Sequence, residues 1–346
     1  MKPRSAVKTS LFAAKEREQK LDRKGDLLAT LEKHVDFTAL ALDVDRIAPR
    51  SSDKRGGRPS YPTELMVRVL ILQQLYNLSD DSVEYQLLDR LSFQRFCGLL
   101  HSSSIPDAKT VWVFRERIRK AGGSETLFEA AQRQLQRHGY IARGGQIVDA
   151  TLVEAPIQHL RQEEKDLLKQ AATPAHWAPA KRRQKDTDAS WTKKHGKSHH
   201  GYKLSISVDR RYKLIRKRHI STAKEHDTNH FERLLDPANT SREVWADKGY
   251  EDRPREQRLQ TNGWRLHLQR KAKRGQPQSN CQKQRNRRIA SPRARVEHVF
   301  GAMVAMGGKG IRTLGLARAE FVISLKATVY NLRRLCTLKE SGMVPF

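Results

Sequence analysis

The chain has little cysteine, few aromatic residues and no long apolar run. Its 3 cysteines, Cys97, Cys281 and Cys336, form no CxxC motif, which disfavours a disulfide framework and a cysteine zinc site. No apolar stretch approaches the roughly 20 residues that span a bilayer, and the apolar patch near the N-terminus is too short for a secretory signal. These absences predict a cytoplasmic protein with reduced cysteines and no membrane partner.

Acidic residues are also scarce relative to basic ones. The 346 residues include 67 Lys and Arg against 38 Asp and Glu, which gives a formal net charge of +29. Such a charge indicates a polyanionic partner. Composition alone leaves open a nucleic-acid binder without chemistry and a protein that binds membrane surfaces.

The shortage of acidic residues is greatest between Gln257 and Ala319, where Glu297 is the one acidic residue. Basic residues crowd before it, at positions 270, 271, 273, 274, 283, 285, 287, 288, 293 and 295. The pair Ser291-Pro292 predicts the start of a helix. The apolar stripe of that helix lies beside Glu297 and comprises Val296, Val299, Phe300 and Met303. We therefore expect Glu297 to border the core.

Changes in residue composition and periodicity divide the chain into four predicted segments. Residues 1–58 are read as a polar arm and linker with a possible helix. Residues 59–140 show short helical patterns typical of a DNA-binding or dimerisation domain, although a plain helical bundle has the same pattern. Residues 141–336 are predicted to form the catalytic domain, with a charged insertion at 158–200, and residues 337–346 form a tail.

The catalytic segment shows a strand-like period of two, which predicts a mixed sheet. Strands are expected at residues 146–153, 202–208, 213–220, 243–246 and 265–269. Three antiparallel strands followed by strand–helix units place a later strand parallel to the first through a right-handed crossover. The predicted fold class is α+β, an all-helical N-terminal domain followed by an RNase H-like sheet flanked by helices. Asp149 and Asp247 should then approach each other at one edge of the sheet.

Asp149, Asp247 and Glu297 form a candidate set of carboxylates. Each has an ordinary alternative explanation: a polar strand residue, a turn cap, and a surface partner of Arg293 worth a few tenths of a kcal/mol. Together they suit phosphodiester cleavage, in which two Mg²⁺ ions roughly 3.5 to 4 Å apart clamp the attacking and leaving oxygens. Mg²⁺ prefers carboxylate and water oxygens to imidazole or thiolate.

Motifs around these carboxylates resemble those of a known family. They are Ile147-Val148-Asp149-Ala150-Thr151, Trp245-Ala246-Asp247-Lys248-Gly249-Tyr250 and Arg293-Ala294-Arg295-Val296-Glu297-His298-Val299-Phe300-Gly301, with further similarity at 57–62 and 195–203. The chain resembles insertion-sequence transposases of the DDE class, in the insertion-sequence-five family, over roughly residues 57–335. It departs from related groups at Ala290, where they have Tyr, and at Val304, where they have Lys.

The resemblance implies a DNA transposase that binds terminal inverted repeats, hydrolyses a DNA strand and joins the freed 3′-hydroxyl to target DNA. Asp149, Asp247 and Glu297 would be the catalytic residues and the ligands of two Mg²⁺ ions, for which Mn²⁺ substitutes. The residues expected to contact DNA are Arg293, Lys248, Tyr250, Lys309 and Arg312, the last two in place of the missing Lys. A nucleoid-associated homodimer would bring two DNA ends together.

Other functions remain compatible with the same residues. An RNase H-like nuclease without strand transfer would use the same carboxylates, and a transposase-derived DNA-binding protein could have lost its activity. A zinc site at His226 and His230 is less favoured because the intervening Glu of a metalloprotease helix is missing. Base stacking by Trp177, Trp191 or Trp264 competes with ordinary core or interface packing.

Overall fold

The structure is a computed structural model that describes residues 10–49, 59–170, 172–194, 196–272 and 275–345. Several of the predicted features lie outside the described residues. They are most of the predicted linker at 50–58, His195 of the motif before the second long strand, and Lys273 and Arg274 of the basic run.

The first part of the described chain is helical. Its helices are α1 Ala13–Arg23, α2 Leu27–His34, α3 Phe37–Ile47, α4 Thr63–Leu75, α5 Asp80–Asp89, α6 Leu91–Phe96, α7 Ala108–Lys120 and α8 Gly123–Arg137. Side-chain caps explain four of the starts, because Asp26, Asp36, Ser79 and Asp107 accept hydrogen bonds from backbone N–H groups in the first turns of α2, α3, α5 and α7. The helices expected in residues 63–137 are confirmed.

Helices α2 and α3 are more deeply packed than the polar arm predicted for residues 1–58. Leu31, Leu40 and Val44 are fully buried in the main core, where α3 contacts α4 and α8 and α2 contacts a C-terminal helix. Phe37 is also buried, with the Arg68 guanidinium 4.3 Å from its ring centroid. Residues 27–47 are therefore part of the helical body, while the domain boundaries at 59 and 141 stay a prediction.

The described strands form one mixed sheet. They are β1 Gln146–Glu154, β2 Ser190–Lys194, β3 Lys197–Asp209, β4 Ile215–Thr222, β5 Glu243–Ala246 and β6 Arg265–Leu268. The order is β2-β3-β1-β5-β6, and β4 also pairs with β3. β3 is antiparallel to β1, β2 and β4, whereas β5 is parallel to both β1 and β6. The predicted fold class is confirmed.

Five helices follow the start of the sheet in the described chain. They are α9 Gln162–Lys169 and α10 Pro179–Arg183 in the insertion, then α11 Arg253–Thr261, α12 Asn280–Ala305 and α13 Leu316–Glu340. Helix α13 is buried along most of its length and packs on α8 and β4. It therefore joins the helical region to the sheet. The helix expected near residues 227–235 consists of two short 3₁₀ segments instead.

The predicted start of α12 at Ser291-Pro292 is wrong. The helix begins at Asn280, where Ser279 and Gln282 form a capping box, and Pro292 lies inside it. Proline removes one backbone donor and crowds the preceding turn, but the upstream cap and the packing of Ile289 against the core extend the helix through this position. The run of basic residues that precedes Glu297 is therefore largely helical.

The turn between β3 and β4 contains a fully buried carboxylate, Asp209, which accepts hydrogen bonds from the backbone N–H groups of Arg143 and Tyr212. Burial raises the pKa of Asp209 from 3.8 to about 6, and the backbone hydrogen bonds oppose this rise. The folded protein therefore keeps this proton to higher pH than the unfolded chain. The free-energy cost of burying the ionised carboxylate grows as the pH rises from about 4 to about 6, and it reaches its full value above that range.

We therefore expect the free energy of unfolding of the wild type to fall relative to that of Asp209→Asn between about pH 4 and about pH 7. The expected loss is up to about 3 kcal/mol. Urea unfolding of both proteins at the two pH values measures it, and a difference between the proteins that does not change with pH would contradict the assignment.

Candidate active site

Two of the predicted carboxylates are placed by the parallel pairing of β1 and β5. Gln146 pairs with Val244, and Ile147 with Trp245. The same register continued by two residues brings Asp149 beside Asp247, which follows the last residue of β5. Asp247 also caps the 3₁₀ turn Lys248–Tyr250, because its carboxylate accepts a hydrogen bond from the N–H of Gly249 at 2.7 Å. The expected approach of these two residues follows from the sheet.

Helix α12 brings Arg293 and Glu297 close to Asp149. The Arg293 guanidinium donates a hydrogen bond to the Asp149 carboxylate at 2.6 Å, and it lies 4.0 Å from the Glu297 carboxylate one turn along the helix. Val296, Val299, Phe300 and Met303 are buried, as predicted. The Glu297 side chain, however, is 62% exposed, so our expectation that it borders the core is wrong. It points from the edge of the apolar stripe towards solvent.

The carboxylates act on one another electrostatically. Burial raises the pKa of Asp149 to about 6, Arg293 and the N–H of Ala150 lower it, and the charges of Asp247 and Glu297 raise it. Asp149 is therefore a largely buried acid whose ionisation depends on a nearby positive charge. In this structure Arg293 supplies that charge.

The three carboxylates have the chemistry that a hard divalent cation requires, but not the spacing in this structure. Within the described parts of the chain, no three His, Cys, Asp or Glu side chains are close enough together to hold a metal ion. Asp149, Asp247 and Glu297 nevertheless provide oxygen ligands alone, the kind that Mg²⁺ prefers, and their repulsion would be relieved by a divalent charge. Arg293 would have to leave Asp149 for such an ion to bind.

Comparison with known proteins identifies the family. Residues 142–332, more than half of the chain, match the family described as Transposase DDE domain, and residues 15–117 match Transposase domain (DUF772). The chain belongs to the DDE transposases. It is also similar to a solved structure, a piggyBac transposase synaptic complex with hairpin DNA determined by cryo-EM. The identity is 12% and the TM-score 0.45, with 93% of this chain and 77% of that chain covered.

Membership establishes the broad chemistry of this transposase. Its family comprises DNA transposases that cleave DNA by phosphoryl transfer and generally use divalent metal ions. Among the helices of the described residues, none combines the length and the apolar character needed to cross a bilayer.

Of the transposase residues predicted to contact DNA, Lys248, Lys309 and Arg312 are exposed. Tyr250 is placed differently, since its side chain is 1% exposed and packs on Phe231 with a ring-centroid distance of 5.3 Å. A buried phenol offers no surface to a DNA backbone. Burial, together with the charges of Asp227, Asp149 and Asp247, raises the pKa of Tyr250, so this phenol stays protonated at neutral pH.

Sequence reasoning missed Asp227, a further carboxylate near this site. It forms an ion pair with Lys203 of β3 at 2.7 Å, and its charge acts on Tyr250. The sequence signal was an acidic residue shortly after β4, at the start of a 3₁₀ turn that we predicted to be the start of a helix. Lys203 pairs with Leu152 of β1, and side chains alternate along a strand, so Lys203 and its partner Asp227 lie on the opposite face of the sheet from Asp149.

The histidines and tryptophans considered for zinc binding or base stacking have structural partners. His230 bonds to Glu225 at 2.9 Å, and His226 caps the 3₁₀ turn at Thr228. Trp177 is buried and donates to Glu164 at 2.6 Å, and Trp264 is 8% exposed. Trp191 is 53% exposed and lies beside His200 on the β2–β3 hairpin.

Proposed function

We propose that this transposase binds the terminal inverted repeats of an insertion sequence, hydrolyses one DNA strand at the repeat and joins the freed 3′-hydroxyl to target DNA. One observation supports this most directly. The register of β1 and β5 and the contacts of Arg293 with Asp149 and Glu297 bring the three carboxylates to one region beside the C-terminal end of β5. Both reactions are in-line transfers, in which an oxygen nucleophile forms a bond to phosphorus and an alkoxide leaves and takes up a proton.

In the proposed mechanism Asp149, inside β1, and Asp247, directly after β5, would hold the divalent ions, and Glu297 of α12 would complete the set of ligands. Two Mg²⁺ ions, or Mn²⁺ in their place, would activate the nucleophile and stabilise charge on the leaving oxygen. Arg293 is placed to move from Asp149 to a phosphate oxygen, because its guanidinium presents several donors on one planar face. No covalent protein intermediate is required.

The exposed cations Lys248, Lys309 and Arg312 are proposed phosphate contacts. The loop that carries Lys309 is fastened to the end of β1, since the N–H of Glu154 donates to the Lys309 carbonyl at 2.7 Å and the N–H of Ile311 donates to the Glu154 carbonyl at 2.9 Å. Arg312 donates to the Asn77 carbonyl at 3.1 Å, which ties the same loop to the helical region. These bonds hold the two cations at a fixed place near the sheet.

We further propose that the protein acts as a homodimer on DNA, because two repeat ends must be brought together before joining. Band shifts with one labelled repeat duplex and a second duplex of different length test this. A complex that contains both duplexes supports it, and complexes that always contain one duplex contradict it.

The function is tested by incubating the full chain with a labelled duplex that carries the element's terminal repeat, a supercoiled target plasmid and Mg²⁺. We expect cleavage at the repeat boundary and label joined covalently to the plasmid, with both products lost in EDTA. Cleavage without joining would favour a nuclease. Binding without either product would favour a catalytically silent DNA-binding protein.

A further inference from the structure

A second cluster of positive charge surrounds the turn between β3 and β4, away from the carboxylates. We call it the cationic turn patch. It consists of Arg210, Arg211, Lys213, Arg295 and Arg334. Arg211 and Arg295 are exposed, and the others are partly exposed. The patch therefore presents its charges to solvent.

The cations of the patch are held together by the turn itself. Arg295 of α12 donates to the Arg210 carbonyl at 2.7 Å, and Arg334 of α13 donates to the Tyr212 carbonyl at 2.8 Å. Each guanidinium has five N–H donors, so most remain available for another acceptor. Two helices and a hairpin thus converge on one basic surface.

These charges lack acidic partners. In the part of the chain that the structure describes, none of the five forms an ion pair with Asp or Glu within 4.0 Å. Burial and the charges of Arg334 and Arg295 lower the pKa of Lys213, which shows that like charges face one another. Asp209, which directly precedes the patch in sequence, is fully buried and bonded to backbone N–H groups. Mutual repulsion of this kind is relieved when an anion binds.

The patch lies on the same elements as the active site. Gln146 pairs with Asp209 at the turn, and Asp149 lies three residues further along β1, roughly 10 Å away. Arg295 and Arg293 are two residues apart on α12, and the Arg210 guanidinium is 4.6 Å from the ring centroid of Trp245, two residues before Asp247. A distance of about 10 Å along the axis of duplex DNA corresponds to about three phosphates of one strand.

We propose that the cationic turn patch binds the phosphodiester backbone of duplex DNA, independently of base sequence, on the stretch that adjoins the phosphate at Asp149. The inference rests on the proposed function for its choice of DNA as the polyanion. The patch presents charge and flexible side chains instead of an aromatic or amide surface, which suits phosphate contacts and offers little for reading bases. It fixes the path of the duplex across the protein.

The test uses the double variant Arg211→Gln/Lys213→Gln, because neither side chain makes a hydrogen bond in the described structure. Affinity for two labelled duplexes of unrelated sequence is measured in EDTA over a range of salt concentrations. Loss of two phosphate contacts should reduce the slope of log affinity against log salt by about 1.8. The reduction should be the same for both duplexes.

Two further variants make the result decisive. Lys33→Gln/Arg258→Gln removes the same charge from exposed pairs elsewhere and should keep the wild-type slope. Arg211→Lys/Lys213→Arg preserves the charge and should keep it as well. Without DNA, the melting temperature of Arg211→Gln/Lys213→Gln should not fall, because repulsion is removed.

An unchanged slope in Arg211→Gln/Lys213→Gln, or an equal fall in the control, would overturn the proposal. A reduction on one duplex alone would overturn its independence from sequence. Because binding is measured without cleavage, a chain that binds through the patch but neither cuts nor joins DNA would overturn the proposed function and leave this proposal standing.

Discussion

Glu297→Gln should reduce DNA cleavage by roughly 10³-fold while leaving DNA binding intact. The substitution keeps the shape of the side chain and removes the charge that would hold a divalent cation. Stabilisation by such a cation contributes several kcal/mol to the transition state, and each 1.4 kcal/mol corresponds to tenfold in rate. Cleavage of the repeat duplex in single-turnover conditions, with affinity measured in parallel, tests this expectation.

Glu129→Gln is a closely matched control. Glu129 lies on α8, is 60% exposed and stands 4.0 Å from Arg133 four residues on, whereas Glu297 is 62% exposed and stands 4.0 Å from Arg293. If Glu297 were only a surface partner of an arginine, the two substitutions would have the same small effect. Equal cleavage rates in both variants would therefore remove Glu297 from the active site.

Asp236→Ala should lower the free energy of unfolding by about 3–5 kcal/mol, because it leaves the buried Arg216 guanidinium without its acid. The pair is 2.9 Å apart, and the side chains of Arg216 and Asp236 are 8% and 4% exposed. The N–H of Asp236 donates to the side-chain oxygen of Gln146, the first residue of β1. Urea unfolding without DNA measures the loss.

Glu232→Ala provides the comparison, because it breaks an ion pair with Arg258 in which the side chains are 62% and 45% exposed. Exposed pairs contribute about 0–1 kcal/mol. Unfolding free energies that fall equally in both variants would show that Asp236 does not act as a buried counter-ion. A larger loss in Asp236→Ala would confirm that Asp236 acts as the buried counter-ion of Arg216.

Local sequence patterns were sufficient to predict the strands that position Asp149 and Asp247. The apolar, β-branched run at residues 146–153 and the short run ending at Asp247 each lie in a buried strand, so period and flanking turns identified them. The parallel pairing then followed from the order of elements and the handedness of crossovers. The proximity of Asp149 and Asp247 could therefore be predicted from the sequence.

Features that depend on distant packing could not be read in the same way. The segment 1–58 is polar as a whole and suggested an arm, but α2 and α3 are themselves rich in apolar residues. They are buried by α4 and by α8 and α13, the last two more than 70 residues further along the chain. Tyr250 belongs to a motif that indicates function, yet nothing local shows that its ring faces the core. The start of α12 was missed because Ser291-Pro292 is a familiar opening signal, although Ser279 and Gln282 were an equally readable capping box.

The ion pair between Arg293 and Asp149 makes two binding events interdependent. While the guanidinium neutralises Asp149, it is withheld from DNA, and the carboxylate is withheld from a cation. A phosphate that draws Arg293 away frees the acid, and a cation that claims the acid frees Arg293. By thermodynamic linkage, each ligand should raise the affinity for the other by the same factor. The active centre should therefore assemble mainly where DNA and the divalent cation are both present.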